Sequence, residues 1–142
     1  MSDLSAFFID AAEQPEEVEF VVSKRFKDKN GEPVKWKLMP VSSAVDDDIQ
    51  RRSMTVSRIP GKHGQTKREL DMNKYAANLA CAVVKFPCLD DASLQDSYKV
   101  KSAQELITAM LLPGEFAELS ARCMEICGFD TDINDEIETA KN

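Results

Sequence analysis

Asn30-Gly31 stands between two stretches in which apolar residues alternate with others, and it narrows the fold of this 142-residue chain more than any other pair. On one side Val18, Phe20 and Val22 alternate with Glu19, Val21 and Ser23; on the other Val34, Trp36 and Leu38 alternate with Lys35, Lys37 and Met39. A period of two marks strands. Asn-Gly offers the two positive-φ positions of a type I′ turn, so the strands are expected to fold back as an antiparallel hairpin, with Lys29 and Glu32 as an opposite-charge pair beside the turn. A lone hairpin is only marginally stable in water. Its apolar faces must therefore pack on helices, or on another copy of the chain.

Helices are supplied in quantity. Residues 5–12 suggest a short one with Leu4, Phe7, Phe8 and Ala11 on its apolar side and Pro15 as a stop. Ser42 or Ser43 can cap a helix that fades near Val56; Asp46, Asp47 and Asp48 fall in its first turns, where carboxylates suit the positive end of the macrodipole. Asp71 is the expected N-cap of a helix over 72–86, with Tyr75, Leu79, Ala82 and Val83 on one side and Pro87 closing it. A short helix follows from Asp90 or Asp91 to Tyr98. Ser102 and Glu105 form a capping box that opens a helix carrying Leu106, Ile107, Met110 and Leu111. Pro113 can start the next, with a stripe of Phe116, Leu119, Cys123 and Ile126 and Gly128 as the left-handed C′ residue. Ile133 and Ile137 give a last amphipathic piece. The expected class is α+β: one domain over 1–142, with one antiparallel hairpin near the N-terminus packed with about six mostly C-terminal helices.

Residues 57–69 hold Pro60, Gly61 and Gly64 with little to bury, and are expected to be a mobile basic loop. Residues 130–142 form an acidic C-terminal segment.

The chemistry is sparse. The only histidine, His63, lies between glycines with no acid, base or nucleophile beside it. Cys81, Cys88, Cys123 and Cys127 sit in apolar surroundings and read as reduced, buried thiols; their spacing does not match the close pairs of a zinc site. GKHGQ is no phosphate loop. Asp130, Asp132 and Asn134 begin like a calcium loop, but Asp135 replaces the required glycine and Lys141 the closing glutamate. No catalytic set, metal or cofactor is expected, and the chain reads as a non-enzyme. The net charge of −7 argues against general nucleic-acid affinity, although Arg58 to Arg68 is basic. No apolar run is long enough for a membrane span, and MSDLSAFFIDAAEQPEE lacks the basic region and cleavage site of a secretory signal. The expected address is the cytoplasm.

Four segments carry a resemblance: VVSKRFKDKNGEPVKWKLMPVSS at 21–43, ELDMNKYAANLACAVVKFPCLDDASLQDSY at 69–98, AMLLPGEFAEL at 109–119 and EICGFD at 125–130. In content and order they resemble the XkdN-like tail assembly chaperones of tailed phages and prophages. The resemblance implies a bacterial-host morphogenesis factor that binds the helical tape measure protein, keeps it soluble and helps bring tail tube subunits around it. On that footing partner contacts are expected from the basic loop, through Arg58, Lys62, Lys67 and Arg68, and from the tail, through Phe129, Asp130, Asp132, Ile133 and Ile137. The strand edges leave a homodimer open. The competing readings are an adaptor retained in the virion and, further off, a nucleic-acid-binding regulator.

Overall fold

The alternation through Trp36 and Leu38 becomes the middle strand of a three-stranded antiparallel sheet. The computed structural model describes residues 3–129. Its elements are a 3-10 turn at Ser5–Phe7, β1 (Val18–Phe20), β2 (Trp36–Leu38), α1 (Ser43–Arg52), β3 (Met54–Arg58), β4 (Thr66–Leu70), α2 (Met72–Val83), β5 (Val84–Phe86), α3 (Ala92–Ser97), α4 (Ala103–Met110) and α5 (Pro113–Ile126). One sheet runs β1-β2-β5 and the second is the pair β3-β4, both antiparallel. The α+β expectation holds, with five α-helices among the described residues. The Ile133–Ile137 piece lies outside them.

Val18 faces Leu38 and Phe20 faces Trp36, so one side of the sheet is apolar and closes on the helices. Trp36, Leu38, Ile49, Leu79, Val83, Leu106, Ile107, Leu119 and Cys123 are almost wholly removed from water. α2 is the hub, packed against α1, α4 and α5, which is why Tyr75, Leu79 and Val83 of its stripe are buried together with Ala77 and Ala80, while Ala82 is only half-buried.

The first hairpin forms with a different turn. Gly31 alone of the pair has positive φ, at 81°. The Gly31 N–H donates to Asp28 O at 3.0 Å and the Asp28 N–H to Glu32 O at 2.9 Å. This is a type I turn closed by a left-handed glycine, not type I′. The cause is Asp28, whose Oδ1 accepts from the N–H groups of Asn30 and Glu32 at 2.8 and 3.0 Å and so holds Asn30 in an ordinary conformation. Among the described residues Lys29 and Glu32 form no ion pair.

The strands are also shorter than the alternation suggests. Phe20 faces Trp36, yet the Val34 N–H donates to Phe26 O, so residues 21–25 bulge out opposite Lys35 alone. Val22 and Ser23 are buried in this excursion, an arrangement that strict alternation cannot produce.

The caps fall where the sequence puts them. Ser42 Oγ accepts from Val45 N–H, Asp71 Oδ1 from Asn73 and Lys74, and Asp91 Oδ1 from Leu94. Ser102 Oγ accepts from Glu105 N–H, while Glu105 Oε2 reaches back to Lys101 N–H at 3.2 Å. Gly128, at φ 89°, closes α5.

Four further expectations fail. The helix over 5–12 is only the Ser5–Phe7 turn with no buried residue, because so short a segment needs a surface to pack on and none of the described residues supplies one. α1 stops at Arg52, short of Val56, and α2 stops at Val83, short of Phe86. The latter gives way to β5 because Val83-Val84 are β-branched and Phe86 is held extended by Pro87. Finally, the segment 57–69 is not a plain loop. Most of it belongs to the β3-β4 hairpin, in which Thr55, Val56 and Thr66 supply β-branched side chains.

Candidate partner-binding surface

The register of β3-β4 sorts its side chains into two unlike faces. Met54 pairs with Leu70, Val56 with Arg68 and Arg58 with Thr66; these share one face. Thr55 pairs with Glu69 and Ser57 with Lys67, on the other. One face is therefore apolar with two arginines, the other wholly polar. Every residue of β4 is exposed, and Val56 keeps 62% of its surface in water.

The base of the hairpin is pinned. Ser53, fully buried after α1, donates from Oγ to Ile49 O at 2.6 Å and accepts from Asn78 Nδ2 at 3.0 Å; its carbonyl accepts from Asp71 N–H at 2.9 Å. These bonds hold the ribbon's two ends together while the ribbon itself stands out in solvent. Beside it a hollow of about 450 Å³ is lined by Asp47, Gln50, Arg51, Met54, Arg68 and Leu70.

The structure thus brings four of the expected contact residues onto one hairpin. Arg58 and Arg68 share the apolar face, and Lys62 lies in the connection at the tip. Lys67 is on the polar face, its Nζ 2.7 Å from Glu69 Oε1. Phe129 is elsewhere. It follows the Gly128 cap and lines a small cleft with Val41, Ser42, Ser43, Asp46 and Cys127, at the N-terminal end of α1. The hairpin leaves the C-terminal end of that ten-residue helix, about 15 Å away along its axis. The two expected regions are therefore not one patch. Asp130, Asp132, Ile133 and Ile137 lie outside the described residues.

Two features were missed by the sequence argument. One is the apolar strip Met54-Val56-Leu70, hidden because the segment looked like a loop; its signal was the alternation in Met-Thr-Val-Ser-Arg. The other is the N-terminal arm, where Leu4, Phe7, Phe8 and Ile9 are all more than 60% exposed rather than packed.

Internal polar groups are structural. The Tyr75 hydroxyl donates to Asp46 Oδ1 at 2.6 Å; burial, then that carboxylate, raise its pKa. This gives one member of the Asp46–Asp48 triplet a definite partner. Burial pushes the thiols of Cys81 and Cys123 up to about 12, which keeps them protonated and poor nucleophiles. Cys88 is exposed, against the expectation of four buried thiols. Among the described residues no three His, Cys, Asp or Glu side chains converge as metal ligands.

The family of phage XkdN-like tail assembly chaperone proteins matches residues 4–141. The chain belongs to this family. Two Bacillus subtilis (strain 168) proteins are similar to this chain over nearly their whole length. YqbN is 33% identical over 141 residues, covering 99% of this chain and 93% of the relative. The phage-like element PBSX protein XkdN is 30% identical over 141 residues, covering 99% and 94%. The crystal structure of YqbN has a TM-score of 0.78 to this chain at 28% identity, covering 92% of this chain and 99% of the other. Among the described residues no helix is long and apolar enough to cross a membrane.

Proposed function

We propose that this XkdN-like chaperone acts by binding rather than catalysis, holding the tape measure protein, and the tail tube subunits that gather around it, in the host cytoplasm during tail morphogenesis. The observation that carries this reading is the exposed β3-β4 face, where Met54, Val56 and Leu70 run beside Arg58 and Arg68. A long helical client displays apolar stripes before the tube encloses it, and such stripes aggregate. One stripe can lie along Val56 and Leu70, with acidic residues at its margin meeting the arginines. The family supplies the setting; the face supplies the contact.

Coexpression with the neighbouring tape measure protein, followed by size-exclusion chromatography, tests it. Co-elution is expected with the natural chain and its loss with a Val56→Asp, Arg68→Glu double variant. A tape measure protein that precipitates equally with and without the chaperone rejects the reading. Abundant copies in purified mature particles would point instead to an adaptor built into the tail. The basic hairpin also suits nucleic acid; binding that falls steeply with salt and needs Arg58, Lys62, Lys67 and Arg68 would favour that reading.

A further inference from the structure

Two segments of this chain are opposite in charge and each leaves apolar side chains uncovered. In the arm, Leu4, Phe7, Phe8 and Ile9 are 61%, 79%, 63% and 74% exposed. Four large apolar residues so close together and so open mark a contact surface on a single chain. Up to Ser23 the arm carries Asp3, Asp10, Glu13, Glu16, Glu17 and Glu19 and no Lys, Arg or His. From Ile49 to Arg68 the balance reverses: Arg51, Arg52, Arg58, Lys62, Lys67 and Arg68, with no acid. That second segment holds β3, with Met54 and Val56 of the apolar strip; Leu70, the strip's third member, follows Glu69.

We propose that the N-terminal arm of one copy docks across the β3-β4 face and the adjoining hollow of a second copy. Within one copy the arm lies open to water, so its own hairpin does not hold it. Among the described residues Arg52 is paired with Asp48 and Lys67 with Glu69, whereas Arg51, Arg58, Lys62 and Arg68 form no ion pair. No described carboxylate competes with the arm's for those four cations. The hollow, with Met54 and Leu70 on its apolar side and Arg51 and Arg68 outnumbering the one carboxylate, Asp47, on its polar side, takes an aromatic ring from Phe7 or Phe8. Each copy owns both an arm and a face, so a reciprocal exchange closes into a two-fold dimer with two identical contacts. The occupant is a second copy because the complementary surfaces belong to one sequence. The inference stands whether or not the client is the tape measure protein, since its readout is self-association alone.

Sedimentation velocity on the full chain at rising concentration tests it. A reversible dimer is expected, weakened by added sodium chloride as the charges are screened. Phe8→Asp weakens it by about thirtyfold or more, the loss typical of a central aromatic anchor. The decisive arm uses two variants: Asp10→Lys with Glu13→Lys, and Arg58→Glu with Arg68→Glu. These side chains are exposed, so both variants keep the parent's circular dichroism. Each alone is expected to associate more weakly than the parent, and an equal mixture to regain the lost affinity, because positions 10 and 13 of each copy then again face charges of the opposite sign at positions 58 and 68 of the other. A chain that stays monomeric throughout, a dimer indifferent to these changes, a mixture that fails to associate, or an arm protected from proteolysis in a monomer each overturns the proposal.

Discussion

Arg25 Nη2 lies 2.6 Å from Glu115 Oε1 and 2.8 Å from Met110 O, joining the excursion after β1 to the end of α4 and the start of α5. The same Glu115 oxygen accepts the Leu112 N–H at 2.8 Å, so one carboxylate caps α5 and ties it to the sheet. The two residues are 90 positions apart in sequence.

This pair sets an acid limit on stability. The Arg25 guanidinium first, then the Ser23 hydroxyl and the Leu112 N–H, draw the Glu115 carboxyl from its ordinary 4.5 down to about 2. A carboxyl with a depressed folded-state pKa contributes its stability fully above 4.5 and loses it as pH falls from 4.5 towards 2. Glu115→Gln is expected to lower the urea midpoint at neutral pH, with the gap to the parent closing across that acid window. Midpoints that fall in parallel through the window would count against the pair.

The turn at Asp28–Gly31 separates two roles that the sequence merges. Gly31 is in the left-handed region at φ 81°, so Gly31→Ala is expected to cost about 1–2 kcal/mol. Asn30 is not left-handed, so Asn30→Ala is expected to change stability by less than about 0.5 kcal/mol. Denaturant melts of both variants check this; a large loss at Asn30 would restore the type I′ turn.

Ser53 is the buried knot beneath the ribbon. Ser53→Ala leaves Asn78 Nδ2 without its partner and is expected to cost about 1–3 kcal/mol. Val56→Ala, on the exposed strip above, should stay within about 0.5 kcal/mol. Thermal unfolding of the two variants should rank them in that order.

Thiol reactivity should follow burial. At mildly alkaline pH Cys88 is expected to react first with a thiol-specific reagent, while Cys81 and Cys123 react only on unfolding, because burial holds both near 12. Mass spectrometry of modified peptides over time reads the order directly.

Local chemistry by itself determined the helices' beginnings and one glycine. Ser42, Asp71, Asp91, Ser102 and Gly128 act through bonds or backbone angles within a few residues, so each is visible in the chain. The first hairpin was legible for the same reason, since alternation and a turn pair are short-range signals. Only the tertiary structure decided the rest. Residues 21–25 bulge because Val22 and Ser23 are buried and Arg25 reaches α4 and α5. The extended backbone that Val83, Val84 and Pro87 favour locally becomes a strand, β5, because β2 offers an edge to pair with. The basic segment stands up as a ribbon because Ser53, Asn78 and Asp71 pin its base. The arm lies bare because no surface within the described residues covers it. Each of these depends on groups far apart in sequence, and pairings at that range leave no periodic trace in either partner alone.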